Sequence, residues 1–481
     1  MSLHLTYLLA LVVYSLLLIG IGVAASRKVR NASDFLVAGR RFGPGVIFAT
    51  FLAANIGAGS TVGASGIGYR LGLSAWWWVG SAGIGTVFLS QFVGPRLWRI
   101  AKANELHTMG DYLEFRYNKG VKGVIAAILW FGTLAILAGQ LMAIAWILNV
   151  VIGLPKWAGC LAGGVVAITY CTAGGLASSA IVNILELTVT MSGLALSALF
   201  ALHGLKGWAG ASSVLSAQLG PRAAHLESFT GAGAKQILAY VFILVPSFIC
   251  SPGLAQKLYG ARDAKAVRVG IGLNSIGQLG FAVVPAIFGL VALAHFPGLG
   301  NPELALPTVM VTLVPRWLGL WALASIFSAE LSATDAILFM LSTSLAVDLY
   351  KTFLHPRVTQ QKLLAVSRGT TFVAGLAGVG LAIALPSVIA AVTIFYGLLA
   401  VALFVPFLLG LYWRRMNAPA ALWSIFAAIS ADLIVQYGTS SHSVGLFPPA
   451  AVGILTGFAV AVAASLAAPK PRLLAAGEAA D

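Results

Sequence analysis

Charge is what this chain has least of. Asp, Glu, Lys and Arg make up 9% of its 481 residues, and only 14 are acidic, against about 25% charged residues in a soluble domain. A chain that is 59% apolar, with mean hydropathy +0.94, has too little polar surface for a soluble fold and reads as an integral membrane protein. Cysteine is scarce too. Cys160, Cys171 and Cys250 lie in or near apolar stretches and match no disulfide or metal-ligand spacing, so they read as small buried hydrophobes. The seven histidines map to termini, loops or span ends. Without a mid-membrane histidine or metal-ligand pair, intramembrane catalysis is disfavoured. Polar linkers and low-complexity blocks are absent as well. The length would suit roughly three soluble domains, yet one polytopic unit is expected, with a short polar tail from Pro469 to Asp481.

What the chain has in abundance is long apolar runs. Thirteen can be marked, at 4–25, 44–70, 74–99, 122–150, 157–174, 176–202, 233–252, 268–296, 316–346, 363–385, 388–413, 418–437 and 447–468. The first is too long for a signal peptide core and is followed by its positive charge, so it reads as a retained span. The formal net charge of +15 is explained by topology. With thirteen spans, all but six of the 29 Lys and Arg fall on one side; the exceptions are Arg70, Lys156, Lys206, Arg222, Lys235 and Arg316. The positive-inside rule then predicts an external N-terminus and a cytoplasmic C-terminus, and nucleic acid is not an expected partner.

Two of these runs are poor anchors. Residues 44–70 are interrupted by Gly57, Gly59, Gly63, Gly66 and Gly68, with Asn55 near the middle; residues 233–252 contain Pro246 and end in Cys250-Ser251-Pro252-Gly253. Backbone groups freed by such breaks are tolerated in a membrane only where they line a protein-enclosed cavity, and discontinuous helices of this kind bind ions and solutes in transporters. The two runs are the second and seventh, five spans apart, and they enter from opposite sides. That predicts an all-α fold of about 13 transmembrane helices with a 5+5 inverted repeat whose first helix is broken in each half. The boundaries are residues 1–43 (leading helix and loop), 44–232 (first repeat), 233–415 (second repeat) and 416–481 (trailing helices and tail).

Four stretches carry a family resemblance: NASDFLVAGRRFGPG at 31–45, FLAANIGAGSTVG at 51–63, AQKLYGARDAKAVRVG at 255–270, and NPELALPTVM at 301–310 with SAELSATDAILFMLSTSLAVDLYK at 328–351. In order and topology the chain resembles the sodium:solute symporters, with their LeuT-like inverted-repeat fold. The resemblance implies a cation site between the first broken helix and span nine, with backbone carbonyls at Ala53, Ile56 and Ala329 and the hydroxyl of Ser332 as ligands. Asn55 would cap or brace the break. The chain departs from the family pattern at Ala333, where a second hydroxyl is usual, and at Asn183, where many members have aspartate. Each change removes an oxygen or a charge that could serve sodium.

Carboxylates in the apolar spans stand out against so few acids: Glu186, Glu330, Asp335 and Asp432. An ionisable group at that depth costs roughly 2.5–3.5 kcal/mol on insertion scales and is a functional candidate by default. Ser325, Ser328, Ser332 and Asp335 form one helical stripe on span nine; Asn183, Glu186 and Thr190 form another on span six. Asp335 is thus a candidate further cation ligand, and Glu186 and Asp335 are candidate coupling carboxylates for protons. Glu330 lies about 200° around the helix from Ser332 and is assigned to another environment.

For the solute, the candidates are Asn55, Gly57, Gly59 and Ser60 at the first break, Ser251 at the second, Gln140 on span four and Tyr396 on span eleven. Sugar-carrying relatives have larger polar residues where Gly59 and Ser60 stand, which disfavours a polyol. No Lys or Arg is expected within a span to meet a carboxylate solute. Trp76, Trp77 and Trp78 are expected at the outer interface with no solute role. Together these readings point to cation-coupled import of a small organic solute by alternating access, with no cofactor beyond the coupling ion, Na+ or H+. No obligatory protein partner is evident besides membrane lipid. Proton-coupled or uncoupled transport is the alternative. A sensor is disfavoured because only about a dozen residues follow the last span. The Ala/Gly-rich spans suggest a bacterial inner membrane.

Overall fold

The structure, a computed structural model, describes residues 3–26, 38–171, 176–439 and 443–467. Most of the loop at 31–37 and the tail from Pro469 lie outside the described residues. Helices occupy each apolar run. α1 is Leu3–Ser26, α2a Pro44–Asn55 and α2b Val62–Leu71. α3 starts at Trp76–Phe88, α4 is Lys119–Ile152, α5 Lys156–Cys171 and α6 Leu176–Gly204. α7a is Gly233–Cys250, α7b Pro252–Tyr259, α8 starts at Ala264–Phe281 and α9 is Arg316–Thr343. α10 is Gln360–Ala384, α11 Val388–Leu398, α12 Ala418–Gly438 and α13 Pro449–Ala467. Nine helical segments among the described residues are long and apolar enough to cross a membrane. β-structure among the described residues is limited to two isolated bridges, Phe42 with Ala261 and Val444 with Phe447.

Both expected breaks are present. α2a ends at Asn55, Ile56 is extended (φ −99°, ψ 97°), and α2b resumes at Val62. α7a ends at Cys250; Ser251 (φ −56°, ψ 122°) leaves the helix and Pro252, pre-set for a first helical turn, starts α7b. Pro246 does not interrupt the chain, contrary to expectation: α7a runs through it, as membrane helices tolerate where neighbouring groups satisfy the freed carbonyl.

The packing has a permutational pattern. α2a lies on α8, and α7a lies on α3; α6 lies on α9, and α11 lies on α4. Each contact becomes its partner when a helix of the first five is exchanged for the one five places later. The effect is to bring both broken helices, α4, α9 and α11 around one central space.

Candidate transport site

The first break is a closed turn. Its amides at Ser60 and Thr61 donate to the Gly57 carbonyl (2.9 and 3.0 Å), and Gly63 N–H donates to the Ala58 carbonyl (2.8 Å). The Ser60 hydroxyl accepts from Gly57 N–H and lies 3.0 Å from the Asn55 carbonyl, so it serves the turn itself. Neighbouring helices satisfy what remains. Gln140 Oε1 on α4 accepts from Ala58 N–H (2.8 Å), and the Trp78 indole donates to the Gly59 carbonyl (2.8 Å). Asn55 braces the break from behind, donating to Asn274 Oδ1 on α8 at 3.1 Å. Gly57 is required by close approach: a Cβ there would lie 2.5 Å from the Cβ of Ala333 on α9.

Beside this turn is a cavity of about 800 Å3, counting its open mouth. All seven solute candidates line it: Asn55, Gly57, Gly59, Ser60, Gln140, Ser251 and Tyr396. Its walls also include residues missed in the sequence. Trp78, Phe248 and Phe395 make an aromatic side, with the Trp78 and Phe248 rings 6.4 and 5.3 Å from that of Tyr396. Trp78 corrects the interfacial reading of the tryptophan run: it is 4% exposed. Consecutive helical residues are 100° apart, so three adjacent indoles cannot all face lipid, and that geometry was the available signal.

Lys257 is the larger correction. No basic residue was expected within a span, yet Lys257 is 3% exposed, on α7b, and lines the cavity. The reason is that the helix resumes after Ser251 and runs on to Tyr259, beyond the apolar run. Lys257 acts electrostatically on both Asp335 and Glu186, the two candidate coupling carboxylates.

Of the implied cation ligands, three meet. The Ser332 hydroxyl lies 3.0 Å from the Ala53 carbonyl across the helix interface and 3.1 Å from the Ala329 carbonyl of its own helix. Ile56 ends the same turn, its N–H spent on Leu52. The two polar stripes face one another. Ser325 donates to the Val189 carbonyl (2.7 Å), Thr190 to the Ser325 carbonyl (3.1 Å) and Ser328 to the Glu186 carbonyl (3.3 Å), while Tyr14 of α1 donates to Ser328 Oγ (2.8 Å). Asn183 and Glu186 are fully buried, and their side-chain polar atoms find no hydrogen-bond partner among the described residues.

Each end of the helix cluster carries a polar clamp. At one, Glu303 accepts from the Trp146 indole of α4 (2.9 Å) and from Val388 N–H at the start of α11 (2.7 Å). Burial raises the Glu303 carboxyl above its ordinary range, with the Trp146, Ile389 and Val388 donors opposing. At the other, Lys122 lies 3.0 Å from Asp111, 3.0 Å from Glu114 and 3.6 Å from Asp348. Burial would raise Asp111, but the Lys122 ammonium and the His107 and Thr108 amides outweigh it and hold the group below its usual value.

Comparison with known proteins agrees with this geometry. The family model described as the sodium:solute symporter family matches residues 35–428. The sodium/pantothenate symporter of Escherichia coli is 27% identical over 460 residues, covering 90% of this chain and 92% of that one. The sodium/glucose cotransporter of Vibrio parahaemolyticus is 23% identical over 465 residues, covering 88% and 84%. Among solved structures, a substrate-bound outward-open Na+-coupled sialic acid symporter superposes with a TM-score of 0.82 at 17% identity, covering 98% of this chain and 99% of that one; at that identity the match speaks for the fold.

Proposed function

We propose a mechanism from one premise: the chain belongs to the sodium:solute symporter family, and its activity is sodium-coupled solute symport. Sodium binds between α2a and α9, held by the carbonyls of Ala53, Ile56 and Ala329 and the hydroxyl of Ser332, with Asp335 one turn further along α9. The observation that carries this reading is the Ser332 hydroxyl reaching the Ala53 carbonyl at 3.0 Å, directly before the break. Carbonyls at an unwound helix end offer a hard cation oxygen ligands without needing a charge. An ion drawing these oxygens together ties α9 to the break, and the break lines the cavity. Sodium occupancy is thereby communicated to the solute site.

The solute is a small organic molecule with a polar head and an apolar body. Gln140, Ser251, Gln278 and Lys257 supply polar groups to the wall, and Trp78, Phe248, Val392 and Phe395 supply apolar surface. A mostly apolar lining with a few polar groups suits an amphipathic ligand. Import by alternating access, thirteen crossings in a 5+5 inverted repeat, an external N-terminus, a cytoplasmic C-terminus and a bacterial inner membrane complete the reading. The exchangeable helix contacts support the repeat, and the charge asymmetry of the loops supports the orientation.

A second reading, proton coupling, is favoured by one observation: Glu186 is fully buried, and among the described residues neither carboxyl oxygen has a hydrogen-bond partner. Thermal stability of the purified protein against a solute library, in sodium and in choline at two pH values, separates the two. A ligand that binds only the folded state stabilises it according to its occupancy. A solute shift that requires sodium supports sodium symport; a shift that follows pH and ignores sodium overturns it.

A further inference from the structure

Glu330 has no part in the site described so far. It sits on α9 about 200° from Ser332, yet it too reaches the first break, from the other side. The residue is fully buried. Its Oε1 is 2.7 Å from Thr61 Oγ1, and its Oε2 is buried with no hydrogen-bond partner among the described residues. Thr61 stands at the N-cap of α2b, just before Val62, and its hydroxyl is also 2.9 Å from the Gly57 carbonyl.

A hydroxyl has one proton to donate, and here it faces two acceptors. If the proton goes to Gly57, a Thr61 lone pair faces Glu330, and two oxygens 2.7 Å apart need a proton or a cation between them. If it goes to Glu330, Oε2 still has no donor, and a carboxylate in the membrane interior rests on one hydroxyl, a cost of several kcal/mol. Among the described residues no lysine or arginine forms a salt bridge with Glu330. Lys257 acts on Asp335 and Glu186, Lys122 is paired with Asp111, Glu114 and Asp348, and Lys156 donates to the Leu385 carbonyl.

We propose that Glu330 and Thr61 form a second site for a monovalent, sodium-sized cation. The ligands are both carboxylate oxygens of Glu330 and Oγ1 of Thr61, and the Gly57 carbonyl orients the hydroxyl by accepting its proton. A proton on Glu330 would satisfy Oε1 alone, whereas a chelated cation uses Oε2 as well. Two cations would then flank one unwound segment, one before the break at Ala53 and Ser332, the other after it at Thr61. The inference rests on the sodium coupling proposed above, and it sets the stoichiometry of that coupling at two.

The test is equilibrium binding of radioactive sodium to the purified full-length protein, which needs no solute. Two equivalents are expected for the wild type, one for Glu330→Gln and one for Ser332→Ala. A single equivalent in the wild type, lost in Ser332→Ala and kept in Glu330→Gln, overturns the second site and leaves the first standing. No binding by the wild type overturns the sodium reading as a whole. If Glu330→Gln does not fold, Thr61→Val preserves the shape and should weaken one of two sites on the order of tenfold; unchanged affinity at both overturns the proposal. A wild-type infrared band of a protonated carboxyl that disappears in Glu330→Gln without loss of a sodium equivalent also overturns it, because the charge there is then a proton.

Discussion

Gly57→Ala offers the sharpest test of how the break is held. The new methyl would lie 2.5 Å from Ala333 Cβ and 2.9 Å from Gln140 Oε1. Carbon atoms pack at about 3.5–4.0 Å, so α2a and α9 must part by about 1 Å or more at this point. Gln140 can swing its amide aside; Ala333 Cβ is fixed to the backbone and cannot. Overpacking of this kind costs about 1–3 kcal/mol. The separation also draws the Ser332 hydroxyl away from the Ala53 carbonyl, so sodium affinity should fall with stability. Ala333→Gly removes the obstructing methyl at a cost of about 1 kcal/mol for glycine within a helix. If the clash is the cause, the double variant should be more stable than Gly57→Ala alone, with a coupling of about 0.5–3 kcal/mol. Apparent Tm of the purified protein, with and without sodium, measures both effects. Additive losses in the double variant would refute the contact as the reason for glycine at position 57.

Other expectations follow from the same geometry. Ser332→Ala should leave expression intact and cost only about 1 kcal/mol as a lost hydrogen bond, while sharply weakening sodium-stimulated uptake; normal sodium dependence would count against the site. Lys257→Gln removes the buried positive charge that acts on Asp335 and Glu186, so apparent Tm should fall. The fall should be partly recovered by adding Asp335→Asn, and no recovery would refute the electrostatic coupling. Glu303 and Asp111 should respond to pH with opposite sign. The Glu303 carboxyl is raised by burial, so the folded state holds its proton more tightly and loses stability as pH rises from the usual carboxylate range through the raised value. Glu303→Gln should abolish that slope. Asp111 is held low by Lys122, so its stabilisation is present above its ordinary value and is lost as pH falls through the lowered one; Asp111→Asn should flatten melting curves on the acid side only.

The sequence carried a good deal of this structure. Both helix breaks were legible because glycine and proline leave a mark that apolar neighbours cannot hide, and every apolar run proved helical. The polar stripes of α6 and α9 were legible because helical spacing places polar residues on one face; that the two faces meet was not. Other features left no such mark. Pro246 reads as a breaker, but whether a membrane helix bends or continues depends on neighbours that satisfy its freed carbonyl. Lys257 reads as a cytoplasmic loop residue, because hydropathy falls where α7b begins and a buried charge looks the same as a solvated one. Glu330 was assigned to a different environment from Ser332, and its side chain does point the other way. The broken helix, however, passes α9 so closely that its two ends reach opposite faces.

By itself, then, the sequence determined that this chain is a membrane-embedded helical protein with two discontinuous spans, since those properties follow from composition, run length and backbone chemistry that are local to each segment. Tertiary structure decided which groups meet: that all seven solute candidates share a cavity with an unexpected lysine, that Ser332 reaches Ala53, and that Glu330 reaches Thr61. The physical reason is distance along the chain. The contact between Thr61 and Glu330 spans 269 residues, and no periodicity within one helix reports the rotation and depth at which another will pack against it.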